Sequence, residues 1–160
     1  MSTTTRADAL FEQADRQIIA LTALLAGQED ALLARPCPGR ERLGDGTIGA
    51  VALHTVENYG RIVAFVQGVA GHDEAGHGHG HGHGGHLRAA NARLDELGDQ
   101  LDAVSQALRF IVTLSDQRLD VVPPAGEMRF ADGQRTLEQI VTSVLRHQRH
   151  QLDALQAAVA

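Results

Sequence analysis

Residues 136 to 155, TLEQIVTSVLRHQRHQLDAL, combine a complete helix signal with two of the nine histidines of the chain. Thr136 and Gln139 form a capping box, because their side chains can satisfy backbone amides that the first helical turn leaves free. The stretch predicts an amphipathic helix with one apolar face. Apolar residues recur three and four positions apart along that face, at Leu137, Ile140, Val141, Val144, Leu145, Leu152, Leu155 and Val159.

The two histidines of this helix fall at different angles from its apolar face. At about 100° per residue, His147 lies beside Val144 and Gln151 at the edge of the face, whereas His150 is turned toward the polar side. A single histidine at the edge of a core is more often a hydrogen-bonded residue than a metal ligand. A second histidine at a matching position on a neighbouring helix would favour the metal-ligand interpretation.

The same spacing predicts three earlier helices. The first begins after one of the threonines at positions 3 to 5 and ends before Gly27. The second begins after Thr47 and covers residues 48 to about 70. The third has the most regular spacing in the chain and covers residues 87 to about 115.

Four helices with one apolar face each predict an all-α protein, an up-and-down four-helix bundle. The 160 residues fit a single domain, and the 43% of hydrophobic residues, with few aromatics and no tryptophan, suit a core of aliphatic side chains. A long connection, residues 116 to 135, joins the last two helices. A short extended pair around Val121 and residues 128 to 130 is one alternative for its structure.

A tract rich in histidine and glycine, GHDEAGHGHGHGHGGH, follows the second helix at residues 71 to 86. Glycine at nearly every second position makes a packed element costly, so a long mobile loop is predicted. Such a tract binds ions such as nickel, zinc, copper or cobalt through neutral imidazoles. The alternative is a low-complexity linker whose metal affinity is a chemical by-product. The candidate metal ligands of the tract are His72, His77, His79, His81, His83 and His86.

The second predicted helix carries a histidine, His54, at the flank of its apolar stripe, as His147 does on the last helix. Asn58 follows four residues later and points nearly the same way, whereas Glu57 points outward. Helix bundles place metal sites where ligands on facing helices project inward. Two flank histidines on different helices therefore raise the metal hypothesis above the expectation for a lone histidine.

Several function classes are disfavoured by the sequence. The net charge is −6 and no basic cluster occurs, so nucleic-acid binding is not expected. No apolar run reaches the roughly 20 residues of a membrane span and the N-terminal stretch is too polar for a signal peptide, which predicts a cytoplasmic protein with no membrane partner. Cys37 is the only cysteine, and we expect an inert or incidental thiol; the alternative is a reactive thiol, for which the sequence identifies no base.

Two stretches carry a family resemblance. DGTIGAVALHTVENYGRIVAF, residues 45 to 65, and DGQRTLEQIVTSVLRHQRHQLDAL, residues 132 to 155, resemble the second and last helices of the DinB/YfiT-like superfamily. That superfamily has a four-helix fold, which is also seen in mycothiol-dependent maleylpyruvate isomerases. The resemblance covers most of the chain and implies a bundle that binds a divalent metal.

The resemblance also implies a set of ligands. In the superfamily, one histidine of the second helix and two of the last helix, four residues apart, hold the ion, commonly zinc or nickel. His54 and His147 match two of these positions, but the third falls on Gln151, and His150 is one residue short. A neutral amide is a poor ligand for these ions. Either the bundle site is weak, or His150 or a tract histidine completes it.

Three functions follow as hypotheses. The first is a metal-binding DinB-like protein that holds nickel or zinc through the bundle histidines, the tract or both. The second is a metal-dependent transferase or isomerase that acts on a small molecule with a low-molecular-weight thiol, although no catalytic base is identified. The third is a helical interaction module without a metal role. The aliphatic composition is compatible with a homodimer.

Overall fold

The computed structural model describes residues 3 to 70, 93 to 126 and 128 to 160. Within these ranges the chain is all-α, with no β-strand and one isolated bridge between Pro36 and Thr47. In the described part of the chain, two short 3-10 helices, Asp30–Ala34 and Arg109–Thr113, accompany the α-helices. The α-helices are α1 (Arg6–Leu25), α2 (Ile48–Ala70), α3 (Leu94–Leu108), α4 (Asp116–Leu119) and α5 (Leu137–Val159).

The predicted helix starts are confirmed at three positions. Thr5 accepts a hydrogen bond from the amide of Asp8 at the start of α1. The Thr47 hydroxyl accepts one from the amide of Ala50, at 3.2 Å, at the start of α2. At α5, the Thr136 and Gln139 side chains form both halves of the predicted capping box. Each cap satisfies amides that have no partner within the helix.

The third helix is shorter than its periodicity predicts. α3 ends at Leu108, and the chain tightens into the 3-10 helix Arg109–Thr113, where the Thr113 hydroxyl donates to the carbonyl of Phe110 at 2.6 Å. Ser115 has an extended backbone and accepts from the amide of Arg118, so it caps α4 and cannot continue α3. The predicted residues 87 to 92 lie outside the described part of the chain.

The connection before α5 contains α4 and turns, and the alternative of an extended pair is wrong for the residues that the structure describes. The amide of Gly126 donates to the carbonyl of Ala131 at 3.2 Å. The Asp132 carboxylate then accepts from the amides of Gln134 and Arg135, each at 3.0 Å. These short-range bonds occupy backbone groups that a strand ladder would need.

α1 and α5 lie side by side and run in the same direction. Arg6, in the first turn of α1, donates to Glu138 in the first turn of α5 at 2.8 Å and to Asp120 at 2.6 Å. Further along both helices, the Gln17 amide donates to the carbonyl of Leu145 at 3.0 Å. Contacts near both starts and again towards both middles require that the two helices run in the same direction.

α2 and α3 run against this pair. Just before α2, Arg35 accepts from the amide of Ile48 at 2.8 Å, and its guanidinium reaches the carbonyl of Ala158 at the far end of α5. The start of α3 lies near the end of α1, because the amide of Leu94 donates to Asp30 at 3.0 Å. The 3-10 helix after α3 packs beside the start of α1.

This arrangement differs from the alternating order that we expected of an up-and-down bundle, because α2 and α3 are parallel. Ala70 and Leu94 therefore lie at opposite ends of the packed helices. The 23 residues between them are sufficient for that topology, since an extended chain covers about 3.3 Å per residue. All six tract histidines fall within residues 71 to 92, which lie outside the described part.

The core lies where α1 and α2 each pack against α3 and α5. None of the described helices combines the length and apolarity that a membrane crossing requires. Among the described residues, four polar side chains are also buried: Gln17, Thr55, Gln148 and Gln151. The largest fully buried side chains are Tyr59, Leu21, Ile48, Ile62, Leu97, Leu101, Leu108, Ile111, Leu119, Leu137, Ile140 and Leu145.

Two adjacent isoleucines of α1 test this core assignment. Ile18 is 3% exposed and Ile19 is 59% exposed. We expect Ile18→Ala to lower the free energy of unfolding by about 2–5 kcal/mol, because it leaves a cavity. Ile19→Ala makes the same chemical change at the surface and should alter it by about 0.5 kcal/mol or less. Urea denaturation followed by circular dichroism measures both, and equal losses would contradict the assignment.

Candidate histidine site between two helices

The structure brings His54 of α2 and His147 of α5 to the same cavity. The cavity has a volume of about 190 Å³. Both imidazoles are half-buried, as their positions at the flanks of the two apolar stripes predict. The other lining residues are Asn58, Arg61, Met128, Arg129 and Val144. The antiparallel packing of α2 on α5 therefore places the two flank histidines opposite a shared space.

A buried glutamine, Gln148, determines how the polar groups beside His54 are oriented. The Gln148 amide nitrogen donates to the backbone carbonyl of Thr55 at 2.6 Å. A carbonyl can only accept, so the side-chain oxygen of Gln148 must face the other way, where the Asn58 Nδ2 group donates to it at 3.2 Å. On the other side of its amide, Asn58 accepts from Arg61 through Oδ1 at 3.1 Å.

This chain of hydrogen bonds assigns the tautomer of His54. Asn58 Nδ2 also lies 3.0 Å from His54 Nε2, and it has a second hydrogen to donate. His54 Nε2 is therefore the acceptor, and in the neutral ring the proton is on Nδ1. The Thr55 carbonyl can only accept, and this fixes the orientation of the Gln148 amide, then of the Asn58 amide, and finally the acceptor role of His54 Nε2.

His147 is oriented by a similar chain from the opposite side. Arg40 Nε donates to Gln151 Oε1 at 2.6 Å, so the Gln151 amide nitrogen faces His147, 3.4 Å from Nε2. The Arg129 guanidinium also lies 3.3 Å from the same nitrogen. An arginine can only donate. His147 Nε2 is thus an acceptor as well, and the neutral ring carries its proton on Nδ1.

Both imidazoles are held in the neutral form. Burial lowers the pKa of His54 below the ordinary 6.5, and the positive charge of Arg61 lowers it further, against a smaller opposing effect of Glu57. Burial and then the charge of Arg129 lower the pKa of His147. Two neutral rings therefore face the cavity at pH 7, each with an unprotonated Nε2.

The two other predicted ligands of the bundle do not line the cavity. Gln151 is 5% exposed and its oxygen is bound by Arg40, whereas the side chain of His150 is exposed. Helix geometry had placed position 151 inward and position 150 outward, and this is confirmed. His150 contributes only its backbone carbonyl, which accepts from Arg40 at 3.4 Å.

The described residues fit a divalent metal ion only in part. Across residues 3 to 70, 93 to 126 and 128 to 160, no group of three or more histidine, cysteine, aspartate or glutamate side chains could hold one. His54 and His147 supply two ligands, whereas zinc sites use three or four protein ligands. The six tract histidines lie outside these residues.

Sequence reasoning did not identify two of the buried amides, Gln17 and Gln148. Tyr59 donates to Gln17 at 2.8 Å, Gln17 donates to the Leu145 carbonyl, and burial raises the pKa of Tyr59. Gln17 and Gln148 lie on the apolar stripes of α1 and α5. The available signal was a polar residue at a core position of a helix. Such a residue is buried only where it has hydrogen-bond partners, so its presence indicates a buried polar contact.

The three arginines beside the histidines were also missed. Arg40 and Arg129 come from loops, and Arg61 is an exposed residue of α2, so no helical period marks them. Cys37 is buried, which raises the pKa of its thiol, in line with an inert role.

Comparison of the chain with protein-family models, with curated proteins and with solved structures gave no match.

The tautomer assignment predicts the effect of Asn58→Asp. The introduced carboxylate can only accept, so we expect the His54 proton to move to Nε2 and the pKa of His54 to rise. Long-range proton–nitrogen NMR correlations of the imidazole rings distinguish the two tautomers. His147 serves as the internal control and should keep its proton on Nδ1. An Nε2 proton on His54 in the unsubstituted protein would contradict the hydrogen-bond chain.

The lowered pKa values also predict how stability depends on pH. Below pH 6.5 His54 and His147 bind protons more readily in the unfolded chain than in the folded chain, because folding lowers both pKa values. The free energy of unfolding should therefore fall as the pH drops from 6.5 towards the pKa values of the folded state. Urea denaturation at pH 7.5 and at pH 5.5 measures the change. We expect a smaller loss in His147→Gln. His150→Gln, an exposed histidine of the same helix, is the matched control and should keep the full loss.

Proposed function

We propose that this protein binds a divalent metal ion of the nickel or zinc type, with His54 and His147 as its bundle ligands. The observation that carries the proposal is the pair of neutral imidazoles, from separate helices, that line one cavity with Nε2 unprotonated. Neutral imidazole nitrogen is the group by which proteins most often bind these ions.

Metal binding requires a rearrangement of hydrogen bonds at the site. The Nε2 atoms that an ion would use now accept from Asn58 on one ring and from Arg129 and Gln151 on the other. An ion would have to displace these donors, and the positive charge of Arg129 opposes it. The two histidines alone are therefore expected to bind weakly.

We infer that the remaining ligands come from water or from the histidines of residues 72 to 86. Six imidazoles in one short stretch bind borderline ions whether or not the rest of the fold contributes. In this scheme the histidine tract captures the ion, and His54 and His147 then hold it at one position in the bundle. The four-helix DinB-like fold, a single domain over residues 1 to 160, a cytoplasmic location and a homodimer remain part of the proposal.

A second function is supported by the space beside the imidazoles. A cavity of about 190 Å³ next to a metal would admit a small substrate, which a transferase or isomerase using a low-molecular-weight thiol needs. Among the described residues that line the cavity, only His54 and His147 could accept a proton, and both are assigned to the metal, so no separate catalytic base is present among them. A helical interaction module without a metal role is the third alternative, and it requires metal binding too weak to matter in the cell.

The metal proposal is best tested with length-preserving variants. Deleting residues 72 to 86 would leave eight residues between Ala70 and Leu94, which span at most about 30 Å. α2 alone has 23 residues and a length of about 34 Å, so the deletion endangers the fold itself. Replacing the six tract histidines with glutamine removes the ligands and keeps the connection.

The variant whose six tract histidines are replaced by glutamine is called the tract-substituted protein. We expect elemental analysis and calorimetry of this protein, without a tag, to find one weakly bound nickel or zinc ion per chain. Adding His54→Ala and His147→Ala should weaken that binding by more than about tenfold, or roughly 1.4 kcal/mol. His150→Ala is the matched control and should have little effect. The ion should also be released as the pH falls towards and below the lowered pKa values of the two imidazoles, because protons then compete for the same nitrogens.

Two results would refute the assignment of the bundle ligands. One is unchanged affinity after the double substitution, and the other is an affinity that stays constant as the pH is lowered from about 7 to about 4. If the unsubstituted protein binds metal but the tract-substituted protein does not, the tract alone is the binding element.

A further inference from the structure

We propose that the cavity between α2 and α5 binds a small organic anion, a carboxylate with a short apolar chain, through Arg61 and Arg129. This goes beyond metal binding and does not depend on it, since both arginines carry their charge whether or not an ion is present.

The charge of the cavity is opposite to that of the chain. The protein carries a net charge of −6, yet two arginines and no aspartate or glutamate are found among the described residues that line the cavity. Glu57 is close enough to influence the pKa of His54, but it is not a lining residue. Among the described lining residues the fixed charge is that of the two arginines, and it favours an anion.

Each arginine is positioned by contacts within the fold. Arg61 donates through one amino group to Asn58 Oδ1 at 3.1 Å, and Asn58 is held in turn by Gln148. Arg129 contacts His147 Nε2 at 3.3 Å, and its guanidinium carbon lies 5.2 Å from the centre of the Phe130 ring. A guanidinium has five N–H groups in a planar fork, which matches the two oxygens of a carboxylate.

The arginines come from separate parts of the chain. Arg61 belongs to α2, and Arg129 lies in the connection that precedes α5. Both guanidinium groups line the same cavity, so a bound carboxylate would face positive charge from two parts of the fold.

The rest of the cavity defines the size and character of the ligand. Met128 and Val144 provide an apolar wall. A cavity of about 190 Å³ is small, and it suits a small ligand. Butanoate combines one carboxylate with a three-carbon chain, and we choose it as the probe.

The experiment is an NMR titration of the metal-free full-length protein with butanoate. Metal is removed with a neutral chelator such as phenanthroline, because polycarboxylate chelators would compete for the cavity. We expect resonances of Asn58 and His147 to shift in a saturable manner. Arg61→Gln and Arg129→Gln should each weaken binding by about 10- to 100-fold, the usual effect of losing a hydrogen bond to a charged group.

The control variant is Arg149→Gln. Arg149 is on α5 like His147, but it pairs with Asp153 at 3.0 Å on the exposed face, so its loss removes the same charge without touching the cavity. Butanoate affinity should change less than about threefold in this variant. An equal loss in all three variants would show that net charge alone attracts the anion, and would overturn the proposal.

Three comparison ligands complete the test. Butanamide matches butanoate in shape and lacks its charge, so equal affinity for both would refute a role for the arginines. Inorganic phosphate has the charge without the chain, and binding as tight as that of butanoate would refute the apolar contribution. Butanoate binding that appears only after zinc is added would make the carboxylate a metal ligand, which refutes this proposal and supports the metal proposal above.

Discussion

The hydrogen bond from the Gln148 amide to the Thr55 carbonyl is the contact on which the site depends. It is 2.6 Å long, fully buried, and joins α5 to α2 across 93 residues of sequence. An amide buried without partners would be costly, so this bond favours one alignment of the two helices over shifted ones. Because a carbonyl can only accept, the bond also dictates the direction of the next hydrogen bonds, through Asn58 to His54 and Arg61.

Several elements of the fold could be predicted from local sequence. The starts of α1, α2 and α5 follow from threonine caps, and the inward and outward positions of Gln151 and His150 follow from the angle per residue. The end of α3 could not be predicted in this way, since its apolar spacing continues while Ser115 is already the cap of another helix. The relative directions of the helices also could not be predicted, because they depend on contacts between residues far apart in sequence, such as Arg6 and Glu138.

The candidate site could likewise be predicted from the sequence only in part. The presence of His54 and His147 on stripe flanks was visible in the sequence, but the state of their nitrogens depends on amides and arginines brought in by tertiary packing. Arg129 is 18 residues from His147 and Arg40 is 111 residues from Gln151. Those cations change the chemistry that two histidines would otherwise suggest. A site of histidines alone favours a cation, whereas histidines kept neutral beside arginines also suit an anion.

The parallel pairing of α1 and α5 has a consequence for the order of assembly. Arg6 and Gln17 find their partners 132 and 128 residues later, and Asn58 finds Gln148 90 residues later. Contacts so distant in sequence are slow to form, because the closure of a long loop must precede them. On the ribosome, α1 and α2 leave the exit tunnel before the helix that binds both has been made. Until α5 emerges, the polar groups of Gln17, Tyr59 and His54 are without the α5 side of the core, so the two halves of the site can meet only after α5 has been synthesised.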